Sequence, residues 1–467
     1  MLKDEVYFAT AEELAPELRA GRLSPVELTR GFLDRIVRLN SRFNAFEKPT
    51  PELALEQARR AASELKSNRV RGPLHGIPYA AKDLFDTKGV PTAWGTTFLR
   101  DRVPGENATV VQRLEDSGAV LLGKTAMVEF AGCLGYRFPT ASASGPGRNP
   151  WDSERWTGGS SSGSGAAVAA GLCTFALGTE TWGSILCPSA FCGLTGIRPT
   201  YGLVSRAGGM VGAYTFDKVG PLARSTGDCR LVLGAIAGPD PRDPSCASER
   251  VHLERGSGRP LRSLRAALVP LDWSKVGEPE VKAAFDAAVA ELRGMGLKME
   301  IAELPAVPAS EVSGLLIGVE ALAAFEPFLN DGRVKLLTDD IAPHQRSIAE
   351  PITGADTIKA MRIRDAVQTA MRDWLQRYDI IVTPNFMSVA PPVNMDLNET
   401  LPYGDPVGGF AAACGLPGLA LPAGFGKSGM PAGFQLVGSP FDEATLFDLG
   451  EAYQARTKHH RAHPALA

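Results

Sequence analysis

Serine hydroxyls are concentrated in a glycine-rich stretch, residues 158–184, where the chain could hold a nucleophile. Residues 159–163 read Gly-Ser-Ser-Ser-Gly and match the GxSxG pattern, which in α/β-hydrolases places a serine on a turn between a strand and a helix. The preceding residues, 148–157, are loop-like and supply no such strand, so a nucleophile elbow is not predicted. A flexible Gly/Ser linker is disfavoured too, because the stretch continues directly into a small-residue helix.

A second pattern lies at residues 118–125, Gly-Ala-Val-Leu-Leu-Gly-Lys-Thr, which matches the GxxxxGK[ST] sequence of phosphate-binding loops. Such a loop needs a flexible backbone whose N–H groups turn toward the phosphate. Four consecutive apolar residues are typical of a buried strand instead. We therefore predict a core strand that ends at a glycine, and a nucleotide-binding protein stays the disfavoured alternative from another functional class.

The elements around the two serine-containing loops must bring them together. Capping and glycine signals predict a short helix over residues 165–170, a strand over 173–177 and a second loop over 178–184. The helix rises about 9 to 12 Å and the strand about 16 Å, so the chain can return close to its starting point. Ser160 and Ser184 are therefore expected neighbours, although 24 positions (184 minus 160) separate them.

Several motifs in a fixed order resemble the amidase signature family. The longest are GGSSSGSGAAVAAG at residues 158–171, ALGTETWGSI at 176–185 and GPLHGIPYAAKD at 72–83. Shorter matches lie at residues 123–130, 148–151, 188–193, 196–202, 382–384, 415–417 and 433–438. The resemblance implies an α/β fold with a mixed central β-sheet covered by helices. It also accounts for the apparent phosphate-loop pattern.

The resemblance implies a Ser-cis-Ser-Lys triad in which Ser184 is the nucleophile, Ser160 the bridging serine and Lys82 the base. Ser184 needs a base at neutral pH, and a lysine accepts a proton only when burial lowers its pKa from about 10.4. Ser160 can relay the proton because a hydroxyl both donates and accepts hydrogen bonds. The resemblance further implies that the N–H groups of Thr181, Trp182, Gly183 and Ser184 bind the oxyanion. Ala131, which matches a family position beside the pocket, and Gly132 are candidate pocket residues, together with Trp182.

Three residues near the expected nucleophile depart from the family's usual pattern. Trp182 stands where glycine is most frequent, Glu180 where aspartate is usual, and Leu186 where arginine commonly follows the nucleophile by two positions. If the usual aspartate and arginine brace this loop, the brace must be absent or rebuilt here. The Trp182 indole is expected to line the substrate pocket, where its apolar face would contact the substrate.

Residues 1–467 are interpreted as a single domain in four parts: N-terminal helices over 1–65, a signature core over 70–225, a variable region over 238–375 and the C-terminal part of the core over 378–445. Helical and strand-like runs alternate between residues 110 and 185, which favours an α/β architecture. The family match is dense over residues 70–225 and returns over 378–445. The variable region therefore carries the least functional information.

Composition narrows the classes of partner. The formal net charge of -3 gives no broad basic field for nucleic acid or anionic lipid, and no stretch approaches the roughly 18 continuous apolar residues of a membrane span. A cytoplasmic protein with reduced thiols is the expectation, since the 7 cysteines include no CxxC pair. The 6 histidines show no metal-ligand spacing, so neither a metal site nor another cofactor is predicted.

These observations favour a serine amidohydrolase that cleaves C–N acyl bonds of hydrophobic or aryl amides through an acyl-enzyme on Ser184. Carbamates and urethanes are further candidate substrates, because they also place nitrogen on an acyl carbon. The alternative within the family is the glutamine-hydrolysing A-type subunit of an amidotransferase, which would act with partner proteins. The sequence leaves open whether the chain forms a homodimer.

Overall fold

A mixed sheet runs through the centre of the molecule and is covered by helices. The computed structural model describes residues 2–248, 251–256, 259–341, 351–401 and 404–466. Its strands are β1 (Phe46–Pro49), β2 (Pro78–Lys82), β3 (Val120–Thr125), β4 (Arg148–Asn149), β5 (Asp152–Trp156), β6 (Phe175–Glu180), β7 (Thr195–Arg198), β8 (Lys218–Ala223), β9 (Arg265–Leu268), β10 (Lys298–Ile301), β11 (Ile380–Pro384), β12 (Gly418–Phe425) and β13 (Pro431–Gly438).

Eleven of these strands form one sheet in the order β1-β3-β2-β6-β8-β7-β12-β13-β11-β9-β10. The described helices are α1 (Asp4–Tyr7), α2 (Ala11–Arg19), α3 (Pro25–Phe43), α4 (Pro51–Lys66), α5 (Thr109–Asp116), α6 (Ser162–Ala169), α7 (Leu186–Cys192), α8 (Thr226–Ile236), α9 (Trp273–Val276), α10 (Pro279–Gly294), α11 (Ala309–Asn330), α12 (Gly354–Leu375), α13 (Leu397–Thr400), α14 (Gly408–Cys414) and α15 (Glu443–Thr457). The predicted α/β fold with a mixed, helix-covered sheet is confirmed.

The middle of the sheet determines where polar side chains can meet. Strand β2 pairs in parallel with both β3 and β6, and β6 pairs antiparallel with β8. Because β2 and β6 are parallel, the residue that ends β2, Lys82, lies at the same edge of the sheet as the loop that follows β6. Every residue of these two strands is buried. The central sheet thus carries a lysine and a serine-containing loop to one point.

The stretch that resembles a phosphate-binding loop forms strand β3 and the turn before it. All six residues of β3 are buried, and the Lys124 ammonium donates to Phe85 O at 2.7 Å and Thr92 Oγ1 at 2.8 Å. The Asp83 carboxylate lies 3.4 Å from the same nitrogen. The predicted core strand is confirmed, although it continues beyond Gly123 instead of ending there.

Two segments differ from expectation. Residues 148–157, read as a loop, contain the antiparallel ribbon of β4 and β5, whose polar side chains hid the strand pattern. Within the variable region, α11 has enough length and apolar character to cross a membrane by composition alone. That test is weak, because core helices pass it too, and α11 packs against α12 and α14.

Candidate active site

Lys82 is fully buried at the end of β2 and points its ammonium at hydroxyl groups. Its Nζ lies 2.8 Å from Ser160 Oγ and 3.0 Å from Thr179 Oγ1. Burial lowers the pKa of Lys82 to about 7, although the nearby Cys133, Asp217 and Glu180 oppose the shift. A substantial fraction of the amine is therefore neutral near pH 7, which general-base action requires.

The loops that carry the two predicted serines meet in the structure. The Gly159–Ser160 peptide bond is cis. The next residue, Ser161, donates its backbone N–H to Ser184 O at 3.3 Å, so the loops before α6 and after β6 are in direct contact. Within the described residues, Ser184 Oγ has no hydrogen-bond partner, and the residue is 8% exposed. The role of Ser184 as nucleophile stays a prediction.

The loop between β6 and α7 presents unpaired backbone donors. In the part of the chain that the structure describes, the N–H groups of Trp182, Gly183 and Ser184 donate to no acceptor. Gly183 has a φ of 84°, a conformation that glycine adopts without strain. The geometry suits the predicted oxyanion-binding role, which a preorganised set of N–H groups performs.

The buried carboxylate of Glu180 holds this loop in place through hydrogen bonds to its backbone. Glu180 Oε2 accepts the N–H groups of Ile185 at 2.8 Å and Leu186 at 2.9 Å, which are the first donors after the serine. Its Oε1 accepts Arg198 Nη1 at 2.7 Å, from strand β7. Burial alone would raise the pKa of Glu180, but Arg198 and these donors hold it below the usual value. The brace questioned from the sequence is therefore rebuilt from Glu180 and Arg198.

Thr181 is fixed at both its side chain and its carbonyl. Its Oγ1 donates to Asp217 Oδ1 at 2.5 Å, while Asp217 Oδ2 accepts the N–H groups of Gly212 and Ala213. The Lys218 ammonium donates to Thr181 O at 3.2 Å. Burial lowers the pKa of Lys218 to about 7. The first residue of the loop is thus tied to β8, the strand that neighbours β6.

The turn at residues 129–132, which holds the two further pocket candidates, has an unusual backbone conformation. Phe130 and Ala131 have φ values of 47° and 57°, a left-handed conformation that is unfavourable for side chains with a Cβ. Ala131 is half-buried, and no donor among the described residues reaches its carbonyl. Gly132 packs against the Tyr136 ring, which fills the space that a Cβ would need. The pocket roles of Ala131 and Gly132 stay predictions.

The Trp182 indole leans away from the sheet toward helix α14. It is half-buried, packs against the apolar cluster that includes Val407 and Phe410, and covers Gly408 so closely that a Cβ there would overlap its Nε1. A glycine at position 408 therefore makes room for a tryptophan at position 182. Its contact with substrate stays a prediction.

Sequence reasoning missed Thr179, Arg198 and Asp217 as partners of the loop. The available signal was weak: Thr179 lies within the β6 motif, and Asp217 directly precedes β8. Arg198 comes from β7, which is separated from β6 in the sheet by β8. Among the described residues, no group of three or more His, Cys, Asp or Glu side chains could hold a metal ion.

Comparison with known proteins places these features in a family. The family model for amidases matches residues 27–447. The A-type subunit of the glutamyl-tRNA(Gln) amidotransferase from Moorella thermoacetica is 37% identical, with 99% of each chain covered. The structure of the peptide amidase from Stenotrophomonas maltophilia superimposes with a TM-score of 0.84 at 30% identity, covering 98% of both chains.

The crystal structure of the A-type glutamyl-tRNA(Gln) amidotransferase subunit from Thermotoga maritima also superimposes on this chain, with a TM-score of 0.82 at 28% identity. The superposition covers 98% of this chain and 96% of that chain. The family model spans most of the sequence, and the relatives match over nearly their whole length. The resemblance drawn from the motifs is confirmed, and the chain belongs to the amidase signature family.

Proposed function

We propose that this protein is a free-standing serine amidohydrolase that acts on amides with an apolar or aryl group. One observation carries the choice of substrate: a half-buried tryptophan, Trp182, stands beside the nucleophile, with apolar side chains around it. Large apolar surfaces in a pocket favour apolar substrate groups. Membership in the amidase family supports hydrolysis of an amide bond.

In the proposed reaction, neutral Lys82 accepts a proton from Ser160 while Ser160 accepts one from Ser184. The Ser184 oxygen forms a bond to the carbonyl carbon, and the electron pair of the C=O bond moves onto oxygen. The N–H groups of Trp182, Gly183 and Ser184 stabilise that oxyanion. Return of the proton through Ser160 to nitrogen breaks the C–N bond, and water then hydrolyses the acyl-enzyme by the same relay. Carbamates would react in the same way.

The test is a panel of acetamide, benzanilide and an aryl carbamate, with kcat/KM measured for each on wild type and Ser184→Ala. We expect benzanilide to be preferred over acetamide and every activity to disappear in the variant. A serine-reactive phosphonate should label Ser184 in wild type only. A label on Ser161, or retained turnover in Ser184→Ala, would overturn the assignment.

A second candidate is glutamine hydrolysis in an amidotransferase assembly, which the relatives' names favour. The chain also has a half-buried carboxylate, Asp405, near Trp182. Both residues border Gly408: a Cβ placed on this glycine would lie 3.0 Å from the Asp405 Cβ and would overlap the Trp182 indole. Its Oδ1 accepts Gln435 Nε2 at 2.5 Å and the Val407 N–H at 3.0 Å. Burial raises the pKa of Asp405 to about 6, so it is mostly charged at pH 7 and suited to an ammonium group.

A glutaminase assay with and without candidate partner subunits separates the two functions. If glutamine is the substrate, Asp405→Asn should lower its kcat/KM at least tenfold and leave benzanilide hydrolysis unchanged. Co-purification of partner subunits with efficient glutamine hydrolysis would favour the second candidate. Hydrolysis of benzanilide by the isolated chain, with no measurable glutaminase activity, would favour the first.

A further inference from the structure

Helix α11, from the variable region, is attached to the Trp182 side of the candidate site by its first turns. Ser313 Oγ donates to Gly409 O at 3.1 Å, and Ser310 packs directly on Gly409. The neighbouring Gly408 is the residue that the Trp182 indole covers. The beginning of α11 is therefore one residue away from a wall of the site.

The far end of the same helix is attached to the 129–132 turn. Phe325 stacks on Phe130 with ring centroids 4.3 Å apart. Its ring and Cys133 Sγ both border Gly212, where a Cβ would lie 3.4 Å from the ring and would overlap the sulfur. Cys133 in turn lies close enough to Lys82 to influence the pKa of its amine. The far end of α11 therefore packs directly on the 129–132 turn.

The middle of α11 must cross the space between these two anchors. Leu315, Gly318, Leu322 and Phe325 follow one another at i, i+3, i+7 and i+10, which places them on one face of a helix. Leu315 packs against the same apolar cluster as Trp182, and Leu322 against the main core, to which Phe130 and Phe325 belong. The face that Phe325 directs to the 129–132 turn therefore continues toward Trp182.

This face is apolar but incompletely packed. Leu315, Gly318 and Leu322 are each half-buried, and a Cβ on Gly318 would meet no atom within 4 Å. On another face of the helix, Glu320 accepts the Thr215 N–H at 2.9 Å and its hydroxyl at 2.6 Å. These bonds fix the rotation of α11 and leave open space beside Gly318, between two leucines.

We propose that the Leu315–Gly318–Leu322 face of α11 roofs the substrate pocket and selects amides whose apolar group fits beside Gly318. The inference rests on the proposed function and assigns substrate selectivity to the variable region. A larger residue at position 318 would occupy the space that the apolar group needs. It would leave the Lys82, Ser160 and Ser184 side chains untouched.

The test compares Gly318→Leu with Gly314→Leu in the full-length protein. Gly314 lies one helical turn earlier, is exposed, and likewise has no atom within 4 Å of a Cβ. Both changes replace a helical glycine, so they alter helix propensity equally. The substrates are benzanilide, with an aryl group on both sides of the amide, and acetamide, with none.

We expect Gly318→Leu to lower kcat/KM for benzanilide at least tenfold, with less than a twofold change for acetamide, and Gly314→Leu to change neither. An equal change for both substrates in Gly318→Leu, or the same loss in Gly314→Leu, would overturn the roof assignment. If wild type hydrolyses neither amide, the proposed function itself fails, which is a separate result. Thermal melting of both variants confirms that they fold.

Discussion

Two lysines lie fully buried at the ends of neighbouring parallel strands, and their surroundings differ in one respect. Lys124 has the Asp83 carboxylate 3.4 Å from its nitrogen. Lys82 faces the hydroxyls of Ser160 and Thr179, and no carboxylate among the described residues lies within ion-pair distance. Burial lowers the pKa of both lysines. Of the two, only Lys124 has a carboxylate at ion-pair distance among the described residues.

The comparison separates a structural lysine from one that can exchange protons. Lys124 and Asp83 stabilise each other in a region without solvent, where removing one partner leaves the other charge uncompensated. Lys82 can lose its proton without leaving a charged partner behind. Burial alone therefore does not identify a base, and the kind of neighbour decides the role.

The largest effect is expected for Lys82→Met. The change removes the proton acceptor but fills the same space with an apolar side chain, so kcat/KM should fall about 1000-fold or more while the melting temperature stays close to that of wild type. Both quantities are measured on the purified variant. Substantial remaining activity would mean that another group acts as the base.

Lys124→Met should give the opposite pattern. It leaves Asp83 buried without its partner, which costs about 3–5 kcal/mol of unfolding free energy, while kcat of the folded fraction changes little. Urea unfolding measures the loss. The double variant Lys124→Met/Asp83→Asn should recover most of the stability. A fully stable single variant would contradict the ion-pair interpretation.

The pH dependence sharpens the comparison at the Lys82 end. Because the neutral amine is the base and its pKa is about 7, activity is present above that pH and falls about tenfold for each pH unit below it. Asp83, whose pKa burial raises to about 6, titrates nearby. Asp83→Asn should leave the midpoint of the kcat/KM profile unchanged. If the midpoint moved in Asp83→Asn, the titrating group would be Asp83 and not Lys82.

The smallest effect is expected for Trp182→Gly, which leaves both lysines untouched. Loss of an aromatic contact should change the ratio of kcat/KM for benzanilide and acetamide about 2- to 12-fold, the equivalent of about 0.5–1.5 kcal/mol. Trp182→Phe, the matched control, should keep most of the preference. If both activities fall by one factor and the melting temperature drops sharply, Trp182 supports the core and does not contact substrate.

The sequence predicted the catalytic candidates that the family motifs name, and it missed contacts that depend on strand pairing, even where the residue lies in a motif. Helical and strand periods, with the family resemblance, gave the α/β fold, and the path from Ser160 to Ser184 followed from element lengths alone. Asp217 and Arg198 were missed because their contacts depend on the register of β6 with β8 and on the placing of β7. The proposed role of α11 in substrate selectivity could not be predicted from the sequence either, because apolar residues occur on several faces of this helix.

Glu180 holds the loop after β6 through the backbone N–H groups of residues 185 and 186, so the orientation of Ser184 does not depend on the side chains at positions 182 and 186. Position 182, which is half-buried, can therefore accept mutations at little cost to nucleophile geometry. Position 182 is coupled to position 408, where only glycine leaves room for the indole. An engineering library should randomise 182 and 408 jointly and keep Glu180 and Arg198 constant.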